Sequence, residues 1–397
     1  MKKLFTLLSL SFSLSLSLIK ADYWTQKASY PGLGQEVPVS FAIGNKGYIG
    51  CGTSADDFWE YNPGTNVWTQ KASVPGGIRR GGIGISINDK GYAGTGQSGL
   101  SDFYEYNPVA NNWIVRASMA AARTFAEAFS IGNKGYAGGG NNLDDFWEFD
   151  PALNVWTQKS NLPFGWGHAA AFVIGDKGYI STGIQFPGTI IMDQTWQYDT
   201  TANLWTQCAS LPGGTRTDAR GFEICGKGYV MTGGESPCYQ DLWQYNATLD
   251  QWIQKANVPG GPRDDGASFT IGTKGYFGLG QLNGSTNTND FWEYTPDSVC
   301  ATGIEDASTP LSITFTISPN PAKEFIVISC PLGEKENIEI IITNAEGKKV
   351  YESKLLTSDF RLPTSDFEKG IYFVELITIP TGEGRGGDKT IKKFVKE

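Results

Sequence analysis

The chain has 397 residues and an acidic composition, with a formal net charge of −9 and a pI of about 4.9. This charge repels nucleic acid and anionic membrane surfaces, so the sequence excludes both as partners held by the overall charge of the protein. Gly accounts for 50 residues and Trp for 12, and no long segment shows a helical period of apolar residues. Frequent glycines and aromatics favour short strands joined by tight turns, which indicates an all-β protein.

The chain begins with a predicted signal peptide over residues 1–21. Lys2 and Lys3 precede an apolar, Ser-rich run from Leu4 to Ile19, and Ala21 is a small residue suited to cleavage. The alternative is an N-terminal membrane anchor, although the run is short for a membrane span. We therefore expect an exported chain that has no transmembrane segment in its mature form.

Residues 22–296 contain three short signatures, each present six times and in one order, at intervals of about 45 residues. The signatures are a Trp followed by polar residues, a Lys-Gly-Tyr turn, and an aromatic strand close to Asp-Phe-Trp-Glu-Tyr. The Trp residues are Trp24, Trp68, Trp113, Trp156, Trp205 and Trp252. We expect each repeat to form a four-stranded antiparallel sheet, with the Trp side chains packed between neighbouring sheets.

The two ends of this repeat array complement each other. Trp24 to Ala28 reads as a fourth strand with no preceding three, and the last repeat ends at Tyr294 without a Trp strand. The N-terminal strand should therefore complete the last sheet and close the array. The sequence thus predicts a six-bladed β-propeller.

These signatures resemble the kelch repeat over about Asp22 to Pro296. The residues that carry the resemblance include the strand ending Gly94-Thr95-Gly96, the Tyr61-Asn62-Pro63 segment and the fourth-strand Trp68. The resemblance implies a kelch-type propeller, a fold that by itself leaves the function open.

The C-terminal region, residues 313–397, is predicted to form a small β-sandwich after a flexible linker over residues 297–312. This region resembles the C-terminal sorting domain of type IX secretion, and its motif residues are Pro319, Asn320, Pro321, Gly347, Gly370, Tyr372 and Lys393. The resemblance implies a bacterial protein that engages the type IX secretion machinery and becomes secreted or surface-located. An ordinary carbohydrate-binding or immunoglobulin-like domain is the alternative.

The loops that join successive blades supply recurrent polar residues to the expected mouth of the central channel. We predict a ligand-binding site formed by Arg80, Arg123, Trp166, His168, Arg220 and Arg263. Arginines clustered in an acidic protein would attract carboxylate or sulfated groups, and Trp166 would stack on a sugar ring. Alternatively, the arginines bond neighbouring loop carbonyls and stabilise the ring.

Metal and cofactor chemistry finds little support in the sequence. His168 is the only histidine, which excludes a His-rich copper or zinc site, and we expect no cofactor. The recurrent Asp residues at the start of the third strands are expected to bond loop amides. Among the six cysteines, we favour a disulfide between Cys208 and Cys238 on adjacent blades.

The sequence favours a binding or adhesion module for a protein or glycan ligand, exported to the outer cell surface. The alternative is a carbohydrate-active enzyme resembling the kelch sialic-acid mutarotases, with Glu127, Glu223 or Glu235 as candidate carboxylates. A structural surface protein without a ligand site is the third reading. No motif assigns a catalytic residue.

Overall fold

The computed structural model describes residues 21–234 and 237–297 and parts of the C-terminal region, namely 316–318, 322–329, 337–345, 348–355, 359–379 and 389–396. The chain divides into two compact units between residues 302 and 303. The predicted signal peptide up to residue 20, the predicted linker after residue 297 and the motif residues Pro319, Asn320, Pro321 and Gly347 lie outside the described residues.

The first unit is a six-bladed β-propeller, and each blade is a four-stranded antiparallel sheet. The first strands are Val39–Ile43, Ile83–Ile87, Glu127–Ile131, Ala170–Ile174, Arg220–Ile224 and Ala267–Ile271. The second strands are Lys46–Gly50, Lys90–Gly96, Lys134–Gly138, Lys177–Ser181, Lys227–Met231 and Lys274–Gly278. The third strands are Phe58–Asn62, Leu100–Asn107, Phe146–Asp150, Thr195–Asp199, Leu242–Asn246 and Phe291–Thr295. The fourth strands are Val67–Lys71, Asn112–Arg116, Val155–Gln158, Leu204–Cys208, Gln251–Lys255 and, for the last blade, Tyr23–Gln26.

The last blade combines strands from both ends of the propeller, as the sequence predicts. Tyr23–Gln26 pairs antiparallel with Phe291–Thr295, and Trp24 lies opposite Tyr294. The first strands contact one another in order around the axis, and Val39–Ile43 contacts Ala267–Ile271. The array therefore closes on itself.

Each recurrent Trp joins its own blade to the preceding one. The indole nitrogen of Trp68 donates a hydrogen bond to the carbonyl of Ala28 at 2.9 Å, and that of Trp24 closes the set by donating to Ala256 at 3.0 Å. The rings also pack on aromatics of the neighbouring blade, for example Trp68 on Phe291 at 5.0 Å between ring centroids. These contacts confirm the predicted packing role of the Trp residues.

The two faces of the propeller differ. On one face, each first strand is joined to its second strand by a two-residue turn, such as Asn88-Asp89. The other face, which we call the mouth face, carries the blade-to-blade loops and the loops between second and third strands. Two three-stranded sheets stand on the mouth face, one formed by Gly165–Gly167, Ile184–Phe186 and Ile190–Ile191 and the other by Arg263–Asp264, Gln281–Leu282 and Thr286–Asn287. Variable loops on a rigid scaffold are where binding usually resides, so the mouth face is the place to look for a site.

The second unit is a β-sandwich. One sheet contains Thr316–Ser318, Phe325–Ser329 and Asp359–Pro363, and the other contains Asn337–Asn344, Lys349–Leu355, Gly370–Ile379 and Lys389–Lys396. Ile326 and Ile328 of the first sheet share one buried core with Ile340, Ile342 and Val374 of the second. No helix in the described part of the chain is long and apolar enough to cross a membrane.

The favoured disulfide between Cys208 and Cys238 is wrong. Neither residue is in a disulfide, nor is Cys51, whereas Cys225 is disulfide-bonded. The Cys238 sulfur lies in a buried loop, where it contacts the carbonyl of Gly234 at 2.7 Å. Cys208 lies on an outermost strand of its blade, so strand order does not bring the two sulfurs together.

Candidate functional site

A closed ring of backbone hydrogen bonds surrounds the mouth of the channel. One residue from each blade-to-blade loop donates its amide to the carbonyl of the equivalent residue in the preceding loop. The pairs are Val37 to Asp265 (2.9 Å), Gly81 to Val37 (3.3 Å), Phe125 to Gly81 (2.8 Å), His168 to Phe125 (3.2 Å), Asp218 to His168 (2.8 Å) and Asp265 to Asp218 (3.3 Å). We call these six residues the mouth ring.

All members of the mouth ring have left-handed backbone conformations, and five of them are not glycine. Their φ angles lie between 47° for Val37 and 64° for Gly81. Such angles are costly for residues with a side chain, above all for a β-branched one, and they persist where surrounding bonds over-determine them. The mouth ring is therefore a rigid, strained element that holds four polar or aromatic side chains around one axis.

The residue two positions before each ring member is buried and fixes its loop to its own blade. In four blades this residue is an arginine: Arg79, Arg123, Arg216 and Arg263. Arg123, for example, binds both carboxylate oxygens of Asp145 at 2.8 and 2.9 Å and donates to the carbonyl of Gly139 at 3.0 Å. The partners of the other three are Asp102, Asp241 and Asp290. Gln35 and Trp166 hold the same position in the remaining blades.

This arrangement corrects the prediction for three of the proposed ligand contacts. Arg123 and Arg263 are 0% exposed and Trp166 is 1% exposed, because their side chains are used inside the loops. The indole nitrogen of Trp166 donates to the carbonyl of Thr182 at 2.7 Å. These three residues therefore stabilise the ring, as the alternative reading anticipates, and they offer no surface to a ligand.

The recurrent Asp residues also have a structural role, but the partner differs from the predicted one. Asp102, Asp145, Asp241 and Asp290 accept mainly from arginines rather than from loop amides. Burial works against the ionised form of Asp145, but its bonds to Arg123 and Trp147 hold its pKa below the usual range. In the first blade, Asp57 has no arginine and instead accepts from Tyr30 and Trp59.

The other predicted site residues do come together at the mouth. His168 stacks on Phe125 with ring centroids 3.7 Å apart, and its Nδ1 lies 2.9 Å from Asp218. The Arg80 guanidinium lies 5.1 Å from the centroid of the Phe125 ring and 3.5 Å from Asp265. Contacts between side chains therefore connect members of the mouth ring, in addition to the hydrogen bonds of their backbone.

A cavity lies beneath these side chains and continues into the channel. Arg220, Glu127 and His168 line it, together with Phe125 and a layer of small residues from the first strands: Ser40, Gly84, Ala128, Ala171, Gly221 and Ser268. Arg220 donates from Nε to the carbonyl of Gly266 at 2.5 Å. Glu127 accepts from the amide of Ala169 at 2.8 Å. The bonds of Arg220 and Glu127 both connect a first strand to the next blade-to-blade loop.

Three carboxyl groups, Asp218, Asp264 and Asp265, cluster at the edge of the mouth; we call them the mouth carboxylates. All three are buried, with Asp264 6% and Asp265 5% exposed. Burial and then the charge of Asp218 raise the pKa of Asp264 to about 6 and that of Asp265 to about 9. Burial also acts on Asp218, but the hydrogen bond and charge of His168, with Arg220, lower its pKa.

Of the three candidate carboxylates, Glu127 lines the cavity at the mouth. Glu223 lines the channel, where it accepts from the turn amide of Gly226 and burial raises its pKa, and Glu235 lies outside the described residues. Burial raises the pKa of Glu127 to about 8, against the opposing effects of Arg220 and the Ala169 amide. A carboxyl group that stays protonated near neutral pH can donate a proton as well as accept one, which is a property of many active sites.

The charge balance of the mouth face is acidic, which corrects the expected anion-attracting patch. Four arginines are neutralised by their Asp partners, and Arg80 lies 3.4 Å from Glu36. The remaining bases in the described part of this face are Lys27, Arg80, Lys159, Arg220 and His168. They are outnumbered by the remaining described acids of the mouth-face loops, which are Glu36, Asp56, Asp57, Asp144, Asp193, Asp218 and Asp264. Asp265 is not counted, because its pKa of about 9 keeps it protonated near neutral pH. Within the described residues, no group of three or more His, Cys, Asp or Glu side chains is arranged to hold a metal ion.

Sequence reasoning missed the mouth carboxylates. The signal is present, because Asp218 and Asp265 each follow a buried arginine by two residues, in Arg216-Thr217-Asp218 and Arg263-Asp264-Asp265. The spacing becomes informative only once the arginine is known to point inward.

In the second unit, Gly370 and Lys393 lie on neighbouring strands and Tyr372 is buried in the sandwich core.

Comparisons with known proteins now define the class of each unit. Residues 316–397 match the family model described as a secretion system C-terminal sorting domain. The chain is therefore exported by type IX secretion to the cell surface or the extracellular space, and it interacts with that secretion machinery.

The solved structure titled "Structure of YjhT" is similar in fold to about two thirds of this chain. It aligns with a TM-score of 0.60 at 17% identity, covering 67% of this chain and 95% of its own. At this identity the similarity supports the propeller fold and says nothing further about activity. No curated protein matches the chain.

Proposed function

We propose that the propeller is the binding module of this exported protein and that its ligand, a protein segment or a glycan, docks on the mouth face. The observation that carries the proposal is the mouth ring, which holds polar side chains in a strained and rigid arrangement above a cavity. Backbone strain of this kind is concentrated at functional sites, and a preorganised site loses little entropy on binding. Half-buried Arg80, His168 and Arg220 remain the proposed ligand contacts among the residues predicted from sequence.

The kelch interpretation of the repeats belongs to this proposal. It is supported by the Trp bonds between blades and by the N-terminal strand in the last blade. The opposite face supports a one-sided binding module, because its turns are short and uniform in all six blades.

The proposal is tested with the full chain on glycan and peptide arrays. Any ligand found is titrated against His168→Ala on the mouth face and against Asp89→Ala, whose side chain is exposed on the opposite face. We expect His168→Ala to weaken binding and Asp89→Ala to leave it unchanged. Binding that survives His168→Ala but is lost with Asp89→Ala would place the ligand elsewhere and reject the proposal.

A second candidate, a carbohydrate-active enzyme resembling the sialic-acid mutarotases, is favoured by one observation. Glu127 lies in the cavity with Arg220 and His168, and its raised pKa suits general acid–base work. NMR of free sugars tests this candidate, since anomerisation should be accelerated by the native chain and not by Glu127→Gln. Equal rates for the two proteins would remove Glu127 from the candidate mechanism.

A further inference from the structure

The mouth carboxylates contain hydrogen-bond acceptors that nothing satisfies among the described residues. The Oδ1 atom of Asp264 and the hydroxyl of Thr217, the residue before Asp218, are buried and have no hydrogen-bond partner. The Oδ1 atom of Asp265 likewise receives no bond from an N–H group, and the Asp265 side chain shares a hydrogen bond with Asp218. A buried acceptor left unpaired costs about 1–3 kcal/mol, and more when it is charged. The site therefore holds several acceptors that a donor from outside the propeller would satisfy.

The neighbouring arginines do not supply these donors. Arg220 approaches Asp265 only to 4.0 Å, and it donates instead to backbone carbonyls. Arg80 reaches the other oxygen of Asp265 at 3.5 Å, the outer limit of a hydrogen bond, and is shared with Glu36. Because the mouth face as a whole is acidic, the missing donor is expected to carry a positive charge.

A protonated primary amine fits these acceptors better than a guanidinium group. An ammonium group is a compact charge with three donors that radiate from one atom, whereas a guanidinium presents a planar fork. The unpaired atoms belong to three different side chains, those of Thr217, Asp264 and Asp265, and not to one planar carboxylate, which suits the compact group.

The surroundings favour a peptide over a sugar. Exposed large apolar side chains stand on the mouth-face loops: Leu33, Ile78, Ile190 and Ile191, which we call the apolar rim. Exposed apolar residues around a polar centre are typical of protein-binding surfaces. Of the aromatic rings near the mouth, Phe125 is already engaged by His168 and by the Arg80 guanidinium, and Trp166 is buried, so both rings have partners within the protein.

We propose that the mouth face binds a peptide segment of a partner protein through a lysine side chain. The lysine ammonium group lies among the mouth carboxylates, and apolar side chains that flank it contact the apolar rim. This inference rests on the proposed binding function and names the partner chemistry for the same face.

The first test changes the ligand and leaves the protein intact. The full chain is screened against peptide libraries that share randomised, Leu-enriched flanks and differ only in a fixed central residue: lysine, acetyl-lysine, arginine or glutamate. Acetylation removes the charge while keeping the side chain. We expect the lysine library to be selected, and the dissociation constant of a selected peptide to rise by at least about tenfold on acetylation.

The second test changes the protein. Asp264→Asn should weaken the lysine peptide by at least about tenfold, since it removes the charge and keeps the shape. Asp144→Asn is the matched control, because it removes one exposed charge from another loop of the same face and should alter affinity by less than about twofold. Thermal unfolding of each variant separates loss of binding from loss of fold.

Equal affinity for the lysine and acetyl-lysine peptides would overturn the inference, as would equal effects of the two Asn substitutions. Binding of a glycan alone, with the peptide libraries silent, would also overturn it and leave the proposed function standing. If neither glycans nor peptides bound the mouth face, the proposed function itself would fail.

Discussion

The side chain of Asp22 accepts a hydrogen bond at 2.7 Å from the backbone amide of Ala256, which lies 234 residues later in the sequence. Asp22 also accepts from the hydroxyl of Tyr294 at 2.9 Å. In other blades the same amide bond is made by a turn residue between the third and fourth strands: Asn66, Asn111, Asn154, Asn203 and Asp250. The last blade has no such turn, because its fourth strand comes from the N-terminus, and Asp22 takes the place of the missing residue.

Replacement of Asp22 by Ala should therefore loosen the closed ring. The change leaves a backbone amide and a tyrosine hydroxyl without their acceptor, at a cost of about 1–3 kcal/mol. Urea unfolding of the full chain measures the loss, and Asp89→Ala on an exposed turn serves as control. Identical unfolding midpoints for the two variants would contradict the role given to Asp22.

The buried arginines should contribute far more to the free energy of unfolding than half-buried Arg80. Arg123→Ala leaves Asp145 without its partner and should lower the free energy of unfolding by about 3 kcal/mol or more. Arg80→Ala should cost less than about 1 kcal/mol, because its partly exposed ion pairs are screened by solvent. Removing Asp145 together with Arg123 should recover part of the loss. Similar costs for the two single arginine variants would refute this distinction.

Glu127 should make stability fall as the pH rises. Its pKa is raised to about 8 in the folded chain, so between the ordinary value and about 8 the folded state holds a proton that the unfolded state has lost. The stabilising effect of that proton is full below the ordinary pKa and is lost as the pH passes about 8. Asp264 and Asp265 act in the same direction and Asp218 in the opposite one, so comparison with a variant is needed.

The variant Glu127→Gln cannot lose this proton, and it keeps an oxygen that can accept from Ala169. Its melting temperature relative to the native chain should rise from about pH 5 to about pH 9. A difference between the two proteins that stays constant over this range would show that burial does not shift the Glu127 pKa.

The cysteines outside disulfides give a prediction that peptide mapping can check. After alkylation under denaturing, non-reducing conditions, Cys51, Cys208 and Cys238 should all carry the alkyl group, whereas Cys225 should not. A fragment that links Cys208 to Cys238 would restore the pairing favoured by the sequence and refute the structure at this point.

The repeat pattern was sufficient to predict the blades and their closure, because Trp24 and Tyr294 lie at the two ends of one incomplete repeat. The pattern did not distinguish Arg123 from Arg80. Both precede a first strand, but Arg123 points into its loop toward Asp145 and Arg80 points toward the axis. That choice is set by loop backbone angles and by a carboxylate 22 residues away, and neither is visible in a list of residue types.

The direction of the arginine side chains also explains why the positive charge predicted for the mouth is wrong. Counting arginines suggested a site for anions, but four of them are neutralised inside the blades. The acids that remain, Asp218 and Asp265 among them, sit at ring positions that only the chain of amide bonds reveals.

The central claim is that the mouth ring is a continuous circle of hydrogen bonds that holds the site rigid, and amide hydrogen exchange measured by NMR tests it most directly. The amides of the six ring residues should be protected together, and Asp22→Ala should lower the protection of all six, because loosening the closure strains the whole circle. If any of the six amides exchanged as fast as an unstructured peptide in the native chain, the circle would be open and the account of the site would be wrong.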